Sequence, residues 1–381
     1  MGKASHRRLI KKEQPYKPES VNTGRTIERL RGWLPLAFLI IFVVIVRIHL
    51  VGIPLERDEG GYAYSGQLIL RGIPPYELTN NIHLPGPDIL YALFMFIFGQ
   101  SAAGVHTGLL IINIATIVLL FLLSKYMFNE LAGFVSASSY AILSLSQSVL
   151  GTQAHATHFV VFFALGGAIL LLRALDKGEA LLFFWSGILF GLAFVMKHSG
   201  LSFIIFGILY LLLKQLLTKP IAWKRVVTNC ALYFMGIALP FCLICIILYF
   251  SGVFSKFWFW TFTCAIMHAS QVSFSYAIMY LRNGFVSLVN PYKLIWLIAG
   301  PGFICSVGKA KKWILFMLGF LFFSFLSTCP GFVFREHYFI TLLPAVALLT
   351  GCCVYLFTVA LAPIFSMIPI LVFMAILGWS V

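Results

Sequence analysis

Long apolar runs separated by short polar breaks govern this chain from about residue 33 onward. They fall at about 34–51, 102–124, 131–150, 157–173, 179–196, 200–213, 226–250, 288–307, 313–328, 338–360 and 363–381. Most are long enough to cross a hydrocarbon core of about 30 Å as a helix. The pattern predicts an all-α polytopic membrane protein with about eleven transmembrane helices, the 200–213 run being short for a span. Two shorter stretches read differently. Residues 63–72 have the pattern of a short amphipathic helix ended by Gly72 and Pro74-Pro75. Residues 88–99 are apolar but too short to span, and are expected to form a second juxtamembrane helix.

Composition agrees with the pattern: 61% of residues are hydrophobic and 10% charged, with a mean hydropathy of +0.97, which excludes an ordinary soluble domain. Lys and Arg set the orientation. Nine basic residues lie between Lys3 and Arg31, and those in alternate loops (Lys125, Lys177, Lys214, Arg225, Lys312 and others) bring one side to nineteen of the 27. The positive-inside rule makes that side, with the N-terminus, cytoplasmic and turns Asp58 outward; a multi-pass protein integral to the plasma membrane is expected. The net charge of +15 is then a topology signal, and no nucleic-acid partner is expected. Residues 1–32 read as a basic cytoplasmic tail without a cleavable signal, and 33–381 as one multi-span domain. The eight cysteines lie mostly in or beside apolar runs and are expected to be small packing residues.

Two outward segments are long enough to build a site. Residues 52–101 open on Glu56-Arg57-Asp58-Glu59-Gly60-Gly61-Tyr62, a concentration of charge expected to form a loop after the first span. Residues 251–287 carry the aromatic run Phe254–Phe262 with Lys256, which suits the headgroup zone as a simple belt or as a grip on a lipid-linked substrate. No Gly-rich phosphate loop is present, which argues against a soluble nucleotide donor.

Four ordered segments resemble the polytopic C-type glycosyltransferases, in the superfamily of dolichyl-phosphate-mannose–protein mannosyltransferases and aminoarabinose transferases. They are Arg57–Tyr64 with Arg71–Tyr76, Leu84-Pro85-Gly86 with Tyr91–Leu93 and Phe98-Gly99, Gly191–Lys197, and Arg335–Ile340 with Leu342–Ala345. The family commonly has Lys before the Pro-rich turn, where this chain has His83. The sequence stops near residue 381, without the extra helices or soluble C-terminal domain of many relatives, so no acceptor-binding role is carried over from those parts and a short family form stays open.

The resemblance implies transfer of a hexosyl or pentosyl group from a polyprenyl-phosphate donor to a glycan, lipid or protein acceptor on the outer face, with membrane lipids around the donor tail. Such a reaction needs a base for the acceptor and cations for the leaving phosphate. The resemblance puts Asp58 at the catalytic position, with Glu59 orienting neighbours or helping to bind a metal. Arg57, Tyr62, His83, Lys197, His198, Arg335, His337 and Tyr338 are the candidate substrate-binding residues. His83, His337 and Glu59 are the candidate ligands of a divalent metal, and His155 and His158, three residues apart, could share a helix face. Bland readings stand beside these: a salt bridge for Asp58, and snorkelling for Lys197. Two further functions fit the same chain, a transporter or flippase of a lipid-linked sugar or other solute and an inactive assembly partner. The mid-span segments are almost free of charge, which favours surface chemistry over a transport path.

Overall fold

The computed structural model describes residues 23–269, 272–309 and 312–361. The expected span 363–381 and most of the basic tail lie outside the described residues, and every described element is helical. The first helix, α1 (Thr23–Leu50), starts early, so residues 23–32 of the predicted tail continue it. It is followed by α2 (Arg57–Leu70), α3 (Gly86–Phe98), α4 (Ala102–Met127), α5 (Glu130–Leu143), α6 (Ala156–Lys177) and α7 (Ala180–Met196). Next come α8 (Leu201–Leu217), α9 (Trp223–Phe250), α10 (Phe254–Trp258), α11 (Ala265–Ala269), α12 (Phe274–Val289), α13 (Lys293–Lys309), α14 (Ile314–Leu326) and α15 (Leu343–Leu361).

Six stretches among the described residues are long and apolar enough to cross a membrane: Trp33–Leu50, Ala102–Met127, Ala156–Lys177, His198–Leu217, Trp223–Phe250 and Glu336–Ala360. Helices α3, α5, α7 and α14 are apolar but shorter. The short run at 200–213 extends to Leu217 and joins the long class. Burial sorts the spans into layers. The apolar window ending in α15 is 89% buried and lies at the centre, whereas those of α1 and α9 are 17% and 22% buried. On α1 the exposed Phe38, Ile41, Ile45 and Ile48 recur every three or four residues, a lipid-facing stripe.

Three expectations change. The predicted span 131–150 is only the fourteen-residue α5, after which Ser144 to His155 forms an irregular loop with a 3-10 turn at Gln147–Val149. Ser146 caps that turn and Leu150 adopts a left-handed conformation (φ 52°). The buried Arg47 holds the loop by donating Nη2 to the carbonyls of Ser144 and Gly151, 3.0 Å each, which supplies partners for backbone groups that could not stay bare in an apolar interior. The predicted span 288–307 is broken at Asn290–Tyr292, where Pro291 interrupts the pattern. The predicted outer loop 251–287 is largely helical (α10 to α12), and Phe257 is buried against Tyr76, with ring centroids 5.3 Å apart.

Helix α7 is fixed against α9 by backbone-to-backbone contact. A Cβ on Gly187 would lie 2.2 Å from the Tyr233 carbonyl oxygen, and one on Gly236 2.1 Å from that of Phe184. Small residues at such crossings let helices approach closely in an apolar medium. The consequence for the site is positional, because α7 ends immediately before Lys197.

Candidate functional site

The charged stretch after α1 is the first turn of a helix rather than a loop. Glu56 caps α2: its Oε2 accepts the Asp58 N–H at 2.7 Å, while Glu59 Oε2 accepts the Glu56 N–H at 2.8 Å. This reciprocal capping box fixes the helix start despite Gly60-Gly61. Consecutive helical side chains diverge by about 100°, so the two carboxylates face different surroundings.

Glu59 is fully buried. Its Oε1 accepts the Ala154 N–H at 2.5 Å and the His106 Nε2–H at 3.0 Å. The other imidazole nitrogen, Nδ1, donates to the Val51 carbonyl at 2.9 Å. Burial alone would raise the Glu59 pKa, but the donors from His106, Glu56 and Ala154 outweigh it and hold the carboxyl below its ordinary value. Glu59 thus ties α2 to α4 and to the loop before α6, with both oxygens committed.

Asp58 points the other way, into a cavity of about 650 Å³. Its Oδ1 lies 3.2 Å from Arg57 Nη2 and its Oδ2 3.9 Å from His337 Nε2. Arg57, Tyr62 and His83 line the near wall, Lys197 and His198 come from the end of α7, and Arg335, His337 and Tyr338 come from the segment before α15. Residues separated by some 280 positions therefore meet in one chamber. Of the predicted catalytic and substrate-binding residues Glu59 alone does not line it, and the His155 and His158 pair is also absent from the lining.

Lys197 is held by a ring and His83 by a carboxylate. Lys197 Nζ sits 3.9 Å from the centre of the Tyr338 ring, a cation–π contact. Burial pushes its pKa down to about 7, with Asp58 acting in the opposite direction and Arg335 adding to the fall. His83 Nε2 lies 3.1 Å from Oδ1 of the buried Asp88, whose Oδ2 accepts from Asn81 at 3.3 Å. The Tyr62 and His83 rings meet edge to face at 4.7 Å.

The candidate metal ligands regroup. Ligand atoms of Asp58, His155 and His337 lie within 4.8 Å of one another. The two imidazoles are stacked at 4.0 Å with 6° between their planes. Both nitrogens of buried His155 lack a hydrogen-bond partner, and burial pushes its pKa down to about 4. An unprotonated, unpaired imidazole beside a second imidazole and a carboxylate suits a divalent cation. Glu59 and His83 stand outside this group, because Glu59 is committed to three donors and His83 to Asp88. His158 is buried one turn further along α6, also without a partner.

Sequence reasoning gives no site role to Asp88 or to His106, which here joins Glu59 to the Val51 carbonyl. An acidic residue in the first turn of the helix after Leu84-Pro85-Gly86-Pro87 was the available signal for Asp88. His155 entered only as half of a weak pair, since nothing local to it announces His337.

Residues 83–241 match the family of Dolichyl-phosphate-mannose-protein mannosyltransferases. No curated protein gives a significant sequence match. Among solved structures, ArnT from Cupriavidus metallidurans in the apo state is 15% identical at a TM-score of 0.55, over 86% of this chain and 60% of that one. The same protein bound to undecaprenyl phosphate is 16% identical at 0.54, over 88% and 60%. The archaeal oligosaccharyltransferase AglB from Archaeoglobus fulgidus, in complex with an inhibitory peptide and a dolichol-phosphate, is 12% identical at 0.53, over 91% and 54%. The chain thus spans about 60% of the length of ArnT. Residues 83–241 are thus similar to that mannosyltransferase family, and the chain shares the fold of ArnT and AglB.

Proposed function

We propose that the chain is an integral-membrane glycosyltransferase that moves a hexosyl or pentosyl group from a polyprenyl-phosphate donor to an acceptor on the outer face. The carrying observation is the convergence of one solvent-reachable carboxylate, Asp58, with Lys197 and Arg335 in a single cavity. Asp58 accepts the proton of the acceptor hydroxyl or amine as that atom bonds to the sugar C1. The C1–O bond to phosphate breaks with its electron pair, and the polyprenyl phosphate leaves with the added negative charge. Lys197 and Arg335 bind that charge, Arg335 being suited to two parallel N–H···O contacts. The surplus of Lys and Arg at the far end of the bundle supports an outward-facing cavity.

Asp58, His155 and His337 would hold a divalent metal, which would supply positive charge beside the phosphate. The acceptor is a glycan, lipid or protein hydroxyl or amine that reaches Asp58 in the cavity. The titratable groups around Asp58 gather at the end of the bundle and not along a path through it, which favours transfer chemistry over a transport path.

The test is transfer of labelled sugar from a panel of undecaprenyl- and dolichyl-phosphate donors by purified wild type and Asp58→Asn. Saturable donor binding by both, with turnover by the wild type alone, is expected. Equal turnover by the two proteins would remove Asp58 from the chemistry; absence of donor binding by both would end the transferase reading.

A further inference from the structure

A second cavity, of about 330 Å³, opens at the other end of the bundle. Helix α6 runs from beside His155 at the first cavity to Asp176 at the second; its 22 residues span about 33 Å. In the same way α8 leads from the neighbourhood of His198 to Lys214. The second cavity therefore lies across the whole membrane thickness from Asp58.

Three cations from three elements line it: Lys214 on α8, Arg225 on α9 and Lys312 before α14. Among the described residues none of them forms an ion pair, unlike Lys125, Lys177 and Lys256. The carboxylate in the lining, Asp176, accepts a hydrogen bond from the Tyr126 hydroxyl. Gln215 lines the same cavity, and its amide oxygen and nitrogen are both buried without a hydrogen-bond partner. A buried amide left unpaired is costly, and its presence in a cavity wall points to a ligand that completes it. Lys312 Nζ lies 4.4 Å over the Trp313 ring, and Lys214 Nζ 5.7 Å from the Tyr210 ring.

We infer that this cavity binds a phosphate-bearing anion at the membrane surface, with Lys214, Arg225 and Lys312 neutralising it and the Gln215 amide donating to it. Its volume falls within the range of small-ligand sites, about 300–1,000 Å³. Two sources share this chemistry, the headgroup of an anionic phospholipid and a soluble phosphate. Leu217, Trp223 and Val227, exposed by 70%, 62% and 65%, flank the cations and offer apolar surface to acyl chains. The site is independent of the transferase reading, since it shares no residue with the first cavity.

The full chain, purified in neutral detergent, would be titrated with phosphatidylglycerol, phosphatidylcholine and inorganic phosphate. Bound lipid is read by native mass spectrometry and stabilisation by the shift in Tm. The wild type is compared with the triple variant K214Q/R225Q/K312Q and with R225Q alone, which keeps the test readable should the triple variant fail to fold. Retention of phosphatidylglycerol over phosphatidylcholine, weakened about tenfold in a variant that keeps its Tm without ligand, supports the site and identifies the lipid. A Tm shift by inorganic phosphate without lipid preference, lost in the same variants, supports it with the soluble source. Indifference of all three proteins to every probe, or equal binding by wild type and variants, overturns it.

Discussion

Asp58 and Glu59 are neighbours in the chain, yet Asp58 opens into the cavity while Glu59 is sealed into the bundle, accepting the Ala154 N–H at 2.5 Å. One helical step separates a carboxylate open to the cavity from one whose oxygens are all engaged. The two neutral amides should therefore behave as opposites. Asp58→Asn is expected to cost about 10²- to 10⁴-fold in turnover with Tm close to wild type, since the side chain is part-exposed and its contacts are long. Glu59→Gln places an NH₂ group against the Glu56 N–H or against both His106 and the Ala154 N–H, and should cost about 1–3 kcal/mol. Thermal unfolding alongside sugar transfer separates the two; a stable, inactive Glu59→Gln would contradict the assignment.

Lys197 supplies a pH dependence with a definite sign. Its folded pKa of about 7 means that the ammonium is lost as pH rises through neutrality. A sugar phosphodiester keeps one negative charge across this range, so the titrating partner is on the protein. Donor affinity should fall by up to about tenfold per pH unit above 7, while Lys197→Arg, charged throughout, should flatten the profile. The measurement is the Kd of a polyprenyl-phosphate sugar from pH 6 to 9 in chelator-treated protein. For stability the sign reverses: an unfolded Lys holds its proton to about 10.4, so the folded protein gains stability between about pH 7 and 10.

The helical class and most helix positions were legible because apolar runs of membrane length have few alternative readings. Breaks inside such runs were less visible. The end of α5 at Leu143 and the loop to His155 depend on Arg47, which donates to carbonyls 97 and 104 residues away. The start of α2 at Arg57 was obscured by Gly60-Gly61, whereas the reciprocal Glu56–Glu59 bonds decide it. The cavity lining followed from the ordered motifs, yet the partition of the carboxylates did not. Nothing in Arg57-Asp58-Glu59 says which acid faces His106, because that depends on how α2 rolls against α4.

The His155–His337 stack makes a statement about metal content. If Asp58 and the two imidazoles hold a divalent ion, the purified protein should retain about one per chain. His155→Asn should reduce that content at least tenfold without loss of the folded state, whereas His83→Asn should leave it unchanged, since His83 belongs with Asp88. Elemental analysis after dialysis reads this without an activity assay. Metal retained equally by wild type and His155→Asn would dissolve the group, leaving the stack as simple packing.

Helix α7 reaches the cavity only because Gly187 and Gly236 let it lie directly on α9. Gly187→Leu would drive its side chain into the Tyr233 carbonyl, which a Cβ would already approach to 2.2 Å. Backbone on both sides leaves no flexible side chain to yield, so the helices must separate. Lys197, one residue past the end of α7, would move with it. The expected result is a lowered Tm together with donor affinity reduced to that of Lys197→Ala, although Gly187 lies three helical turns from the cavity. The milder Gly187→Ala should fall between, and donor Kd for the three variants in parallel checks the order. Wild-type affinity in a folded Gly187→Leu protein would show that the α7–α9 contact does not set the position of Lys197.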